Sequence, residues 1–398
     1  MSAGRPAPSR KCDVLVVGGG PGGLIAAREL VARDRALSVI LLERDRAVGA
    51  PVRCGEGVGS EGLSEFIDPT NAPWVSRKIT KVIFWAPDGT EVRVADGDVG
   101  YVLDRTRFEP ALAAEAGRAG AEILIGTEAT GLERDGDGWH VAVRSAAREY
   151  VVRARLVIAA DGVDGMVARW AGLDTRVPSR DMESCAQYLM TNVHVDQDAI
   201  YLHFGDNVAP GGYAWVFPKG GDSANIGLGV VALRARGRNA RQWLDQYAQS
   251  YFPTGIRVSC TVGGVIVHPT IKRTVTDGLI TVGDAAHMIN PLSGGGIVNA
   301  MKAGRLAAEV GAAALAVGDT SATRLSRYHD AWMKMLGDDH VRFHRLKEAL
   351  SKFDDAFFDD LARTVNAIAH EKRTLRRIFG SALIHHPTLL PVVAKYFV

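Results

Sequence analysis

Cysteine is scarce: Cys12, Cys54, Cys185 and Cys260 are the four in 398 residues, and no two of them form a Cys-x-x-Cys pair. That spacing fits neither a disulfide framework nor a thiolate zinc site and suits a reducing cytosol. No bound metal is expected. An excess of one charge is also missing, since 47 basic side chains against 45 acidic leave a net +2. Such a balance gives no overall bias toward nucleic acid. No stretch reaches about 18 uninterrupted apolar residues, so no membrane-spanning helix is expected. What remains, 47% hydrophobic and 23% charged residues, is the composition of a globular protein long enough for two or three domains.

The apolar run over residues 14–27 lies near the N-terminus, where a signal-peptide core must be weighed. A strand and helix suit it better, because its glycines are spaced as a phosphate loop and no small-residue cleavage site precedes the periodic sequence that follows. Residues 13–17 read as a buried strand, Gly18 to Gly23 as a turn, and residues 24–33 as a helix. Gly18 permits the tight turn, Gly20 lets the backbone approach a pyrophosphate, and Gly23 lets the helix pack closely on the strand. A second strand over residues 38–42 ends in Glu43, twenty residues beyond Gly23, where an acceptor for ribose hydroxyls is needed. Arg44 beside it joins the expected cofactor contacts.

Later segments favour FAD over NAD. Leu156 to Ala160 followed by Asp161-Gly162 reads as a buried strand and turn, and Gly278 to Asp284 as another, ahead of Gly294-Gly295-Gly296 and a helix over residues 297–310. Asp284 suits a ribityl hydroxyl, and the helix start would set its positive end against the N1/C2 edge of the isoalloxazine. Over roughly residues 12–310 the chain resembles the flavoprotein class that includes the aromatic hydroxylases. That resemblance implies an α/β fold with a Rossmann-type FAD-binding domain (residues 1–75, 101–175 and 275–315). It also implies an interrupting antiparallel β-sheet substrate domain (76–100 and 176–274), with a helical region over 316–398. One departure is Gly165, where the class commonly carries serine.

Two further motifs, Pro51-Val-Arg-Cys54-Gly-Glu-Gly57 and Tyr213-Ala-Trp215-Val-Phe217-Pro218 with Gly227-Leu-Gly229 beyond it, resemble the geranylgeranyl reductase family. Its members saturate isolated C=C bonds of isoprenoid chains. The resemblance implies flavin contacts at Gly22, Cys54, Gly55, Gly57, Arg105, Ala129, Gly295, Gly296 and Ile297. It also implies a prenylated lipid, quinone or pigment precursor as substrate. Arg107 is an alternative to Arg105.

Tyr213, Trp215 and Phe217 alternate and so share one strand face, either an aromatic wall above the flavin or a packed sheet surface. An unactivated alkene has no carbonyl to absorb charge, so hydride transfer needs a proton delivered to the other carbon. Cys54 is a candidate acid, because a dry pocket favours the neutral thiol; the alternative is a small packing residue. Glu56 is a competing donor if burial raises its pKa. Tyr213 and Trp215 complete the candidate catalytic set, whereas His287 reads as structural. The competing function is a flavin monooxygenase or halogenase on the same scaffold, though no lysine is set for that chemistry. The electron donor is left open between NADPH and ferredoxin.

Past residue 316 the spacing of Trp332, Met335, Phe343, Leu346 and Leu350 predicts helices that could cap a substrate tunnel. Lys372, Arg373, Arg376 and Arg377, followed by an apolar end, read either as a helix on an anionic bilayer surface or as a solvated face beside a packed helix. The expected location is the cytoplasm, with peripheral membrane contact under the first reading.

Overall fold

A computed structural model of the chain describes residues 10–369, the side chains of 94–98 excepted, and contains two eight-stranded sheets. In the first, Leu279–Thr281, Glu149–Ala159, Arg10–Val17, Val39–Leu42 and Glu122–Leu124 lie side by side and parallel. Over residues 14–17, 39–42 and 156–159 the apolar runs are continuous because both faces are covered. Val14, Val16 and Leu41 face the helices Pro21–Arg33, Arg105–Ala119 and Ile297–Ala316, while Leu15, Val17, Ile40 and Leu42 face the hairpin Thr127–Asp135/Gly138–Ser145. Helices Pro21–Arg33 and Ile297–Ala316 cross so closely that a Cβ on Gly304 would stand 2.2 Å from the Gly22 carbonyl oxygen. The second of these helices runs past residue 310 because the alanine- and glycine-rich continuation is equally helical.

The second sheet runs in the order Ile256–Ile266, Met182–Thr191, Ser223–Val231, Ala214–Gly220, Ala199–His203, Val75–Trp85, Glu91–Leu103, Gly57–Gly59. Every neighbouring pair is antiparallel except Ala199–His203 with Val75–Trp85. Ala186, Tyr188, Val216, Ile226 and Leu228 turn one face onto Trp243, Leu244 and Tyr247 of helix Ala240–Tyr251. The opposite face carries Gln187, Trp215, Phe217 and Asn225, a period-two alternation along each strand.

Gly57–Gly59 was expected with the FAD unit, yet it pairs with Gly100–Val102 as the edge of the second sheet. Gly100 permits this, since a Cβ there would stand 2.1 Å from the Val58 carbonyl oxygen. The segment carrying Cys54 therefore bridges the two sheets.

The C-terminal region folds as helices Ala322–Trp332, Asp338–Leu350 and Asp355–Asn366. Trp332 and Leu346 are buried as their spacing suggests, whereas Met335 is exposed. The last helix sets Ala362 and Val365 against Ala86 and Val92 of the second sheet. The basic and apolar run over 372–397 lies outside the described residues. Among those described, no helix is long and apolar enough to cross a membrane.

Candidate active site

The first turn behaves as its glycines require. Gly18 sits at φ 112°, where a Cβ would meet the Ala160 carbonyl oxygen at 2.2 Å, and a Cβ on Gly23 would meet the Gly18 carbonyl oxygen at 2.0 Å. Gly20 has nothing within 4 Å on its Cβ side. The helix it caps has no side-chain cap, so its first N–H groups are left for an anion. Glu43 Oε2 accepts from the Gly19 N–H at 2.8 Å and Oε1 from the Asp45 N–H at 2.8 Å, which fixes the carboxylate at the mouth of the turn. Arg44 pairs with Asp164 at 2.8 Å across this mouth. Thr127 N–H donates to the Glu43 carbonyl and draws the strand bearing Ala129 alongside. This cradle fits the ADP half of FAD.

A second uncapped helix start, Gly296 before Ile297, faces the same region. A Cβ on Gly296 would stand 3.4 Å from Asp284 Oδ1, and burial pushes the Asp284 carboxyl up. A Cβ on Gly295 would meet Ser293 Oγ alone within 4 Å, at 3.3 Å. A carboxyl and an open helix N-terminus so placed suit the ribityl chain and the electron-rich ring edge.

Cys54 lies between these elements and the second sheet. Burial pushes its thiol up, opposed by the Arg105 guanidinium beside it and by the Glu56 N–H, which donates to Sγ at 3.2 Å. Arg105 also binds Glu109, a fully buried carboxyl that burial pushes up. Arg107 turns away, donating to the Pro73 carbonyl at 3.3 Å.

The acid role considered for Glu56 fails on geometry. Its Oε1 accepts from the Arg105 N–H at 2.7 Å, and its Oε2 from Lys219 Nζ at 2.6 Å and Asn225 Nδ2 at 2.7 Å. Three donors converge on a carboxylate that is 4% exposed, so it acts as an acceptor and an anchor. The clamp also holds Glu56 at φ 73°, a left-handed backbone that costs a non-glycine residue roughly 1–3 kcal/mol.

Tyr213, Trp215 and Phe217 share one face, with neighbouring ring centroids 6.1 and 6.5 Å apart. They are less an open wall than a floor beneath the Cys54 loop. A Cβ on Gly55 or Gly57 would meet the Phe217 ring at 2.9 or 2.8 Å, and one on Gly227 would meet Trp215 Cζ2 at 2.4 Å. Trp215 Nε1 donates to Gln187 Oε1 at 2.8 Å, and Gln187 Nε2 donates to the Cys54 carbonyl at 3.0 Å. Tyr213 donates to the Ser293 carbonyl at 2.5 Å, which ties the floor to the glycine turn before the second helix. The glycines at 55, 57 and 227 thus admit aromatic side chains rather than relax a strand.

Comparison with known proteins accords with this arrangement. A family model described as the geranylgeranyl reductase catalytic domain matches residues 181–265, and one for an FAD binding domain matches residues 11–206. The digeranylgeranylglycerophospholipid reductase of Methanocella arvoryzae is 39% identical over 95% of this chain and 97% of its own length. The chain belongs to the geranylgeranyl reductase family. A second member, the digeranylgeranylglycerophospholipid reductase of Methanosphaerula palustris, is 41% identical over 95% of this chain and 96% of its own. A solved geranylgeranyl bacteriochlorophyll reductase-like protein from Thermoplasma acidophilum superposes with a TM-score of 0.90 at 32% identity, covering 97% of this chain and 99% of that one. A flavin-dependent brominase, at TM-score 0.72 and 16% identity over 97% and 94%, shares the fold alone. This geranylgeranyl reductase family member is an FAD-dependent oxidoreductase.

Gln187, Lys219 and Asn225 escaped the sequence reading. Gln187 and Asn225 are polar residues on the face of the second sheet turned toward the Cys54 loop, where a polar side chain needs a partner that the sequence does not name. Lys219 follows a proline at a strand end and looks like a surface residue until Glu56 is placed against it.

His287 was read as structural. It is buried at φ 57° in the turn after Asp284, and burial lowers its pKa to about 4, so it stands neutral there.

Proposed function

We propose that this protein saturates isolated C=C bonds of a geranylgeranyl or other polyprenyl chain carried on a lipid, quinone or pigment precursor. The bound cofactor, when reduced, supplies a hydride to one alkene carbon. Cys54 gives the thiol proton to the other, and the thiolate left behind is held by the Arg105 guanidinium and the Glu56 N–H. Those contacts lower the cost of proton release without deprotonating the thiol beforehand, because burial favours its neutral form. The observation that carries the proposal is this half-buried thiol, on a loop clamped to the Trp215–Phe217 face. Apolar and aromatic surface suits an isoprenoid better than a polar ring.

The monooxygenase or halogenase alternative has only the shared scaffold behind it, since a brominase and a p-nitrophenol monooxygenase align at 16% and 17% identity. NADPH and ferredoxin both remain as donors. Peripheral bilayer contact is proposed from the C-terminal basic and apolar run, and a cytoplasmic location from the four unpaired cysteines.

The test is to reduce the holoenzyme anaerobically with dithionite, add a geranylgeranyl lipid, and follow flavin reoxidation with product mass. Two mass units gained per double bond support reduction. Oxygen or halogen gained only in air defeats it.

A further inference from the structure

We propose that Asp181, His268 and His344 bind one divalent cation of the zinc class, clipping the second sheet to the C-terminal helices. The three come from distant parts of the chain. Asp181 ends a single helical turn ahead of strand Met182–Thr191, and His268 follows the paired strand Ile256–Ile266. Met182 pairs with Ile266, and the Val267 N–H donates to the Asp181 carbonyl at 2.8 Å, so the two residues meet at one sheet corner. His344 reaches the same point from helix Asp338–Leu350.

The spacing suits a coordination shell. Asp181 Oδ2 stands 2.8 Å from His268 Nδ1, Asp181 Oδ1 stands 3.1 Å from His344 Nε2, and all the ligand atoms lie within 4.8 Å of one another. Zinc–ligand bonds of about 2.0–2.1 Å in a tetrahedron put neighbouring ligand atoms about 3.3 Å apart. The imidazole rings of His268 and His344 are 5.4 Å apart and inclined at 79°, so they converge without stacking.

Two nitrogens and one carboxylate form a borderline donor set that favours zinc, cobalt or nickel over magnesium or calcium. Behind His344, Glu348 Oε2 lies 4.0 Å from Nδ1, an outer carboxylate beyond hydrogen-bond reach. The Asp181 and His344 side chains are 4% and 10% exposed, whereas that of His268 is 32% exposed, leaving an approach for the ion and a water. Without a metal, the same atoms can form a carboxylate accepting from two imidazole N–H groups, and the experiment separates the two.

The untagged, FAD-loaded full-length protein is stripped with a chelator, then titrated with Zn²⁺ by calorimetry and with Co²⁺ by visible absorption. One saturable equivalent is expected, with Co²⁺ bands of low coordination number and a Zn²⁺-dependent rise in Tm that EDTA reverses. H268Q and H344Q should each weaken binding by more than about tenfold. An unchanged flavin spectrum reports that a variant has folded, and H268Q, at the more open position, carries the test if H344Q does not fold. No saturable binding to the wild type overturns the proposal, as does undiminished binding to H268Q. None of these readings depends on alkene reduction.

Discussion

In the first sheet both faces of each central strand are buried, with Val14 and Val16 against helices and Leu15 and Val17 against a hairpin. In the second sheet one face packs on helix Ala240–Tyr251, while the other presents Gln187, Trp215, Phe217 and Asn225 to a loop arriving from elsewhere in the chain. The first is stabilised by apolar burial, roughly 1.5–3 kcal/mol for each large side chain, and shapes its cofactor cradle with backbone and glycine. The second gives up part of that burial for polar atoms that must each find a partner. The nucleotide cradle is thus shaped largely by main chain, and the surroundings of Cys54 by assembled side chains.

The contrast can be broken at either end. Gly18→Ala should have the largest effect, because its Cβ would overlap the Ala160 carbonyl oxygen at 2.2 Å on a backbone at φ 112°. The variant is expected to purify without flavin, and a yellow protein with full FAD content would show that the turn tolerates a side chain. Cys54→Ala should keep its flavin but lose about 10²–10⁴-fold in anaerobic alkene reduction, the range for a lost general acid. Full activity would remove the thiol from the reaction.

Lys219→Met strips the cation from a buried carboxylate and should cost about 3–5 kcal/mol of stability, read by thermal denaturation. The double variant with Glu56→Gln should recover part of it; an unchanged Tm in the single variant would mean that the clamp contributes nothing. Gln187→Leu removes two hydrogen bonds of about 1 kcal/mol each and should slow reduction by about tenfold with flavin content intact.

The pH profile sharpens the comparison with the smallest perturbation. An acid works from its protonated form, which exists below its pKa, and burial raises that of Cys54. The rate of alkene reduction should therefore stay level through neutrality and fall only above the ordinary thiol value of about 8.5. A descending limb near pH 7 in the wild type would point to another donor.

Much of the nucleotide half was legible because its determinants are local. Glycines at 18, 20 and 23, an acid at 43 and an acid at 284 each follow a short apolar strand, and the backbone geometry they need is written within a few residues. The candidate site was legible only in part. Cys54 and the alternating aromatics stood out, but Glu56 read as a spare acid because its three donors lie 49 to 169 residues away. The pairing of Gly57–Gly59 with the second sheet was not legible, because three residues carry too little pattern to name a partner.

The order of apolar strands and glycine turns was enough to read a dinucleotide-binding α/β unit, and local motifs were enough to single out the Cys54 loop and the aromatic strand, since main-chain sterics and burial act at short range. Tertiary structure alone decided which polar atoms meet: Lys219 on Glu56, Gln187 between Trp215 and the Cys54 carbonyl, and His344 on Asp181. A buried charge or hydrogen bond is defined by what folding brings within about 3 Å, and no spacing along the chain specifies that.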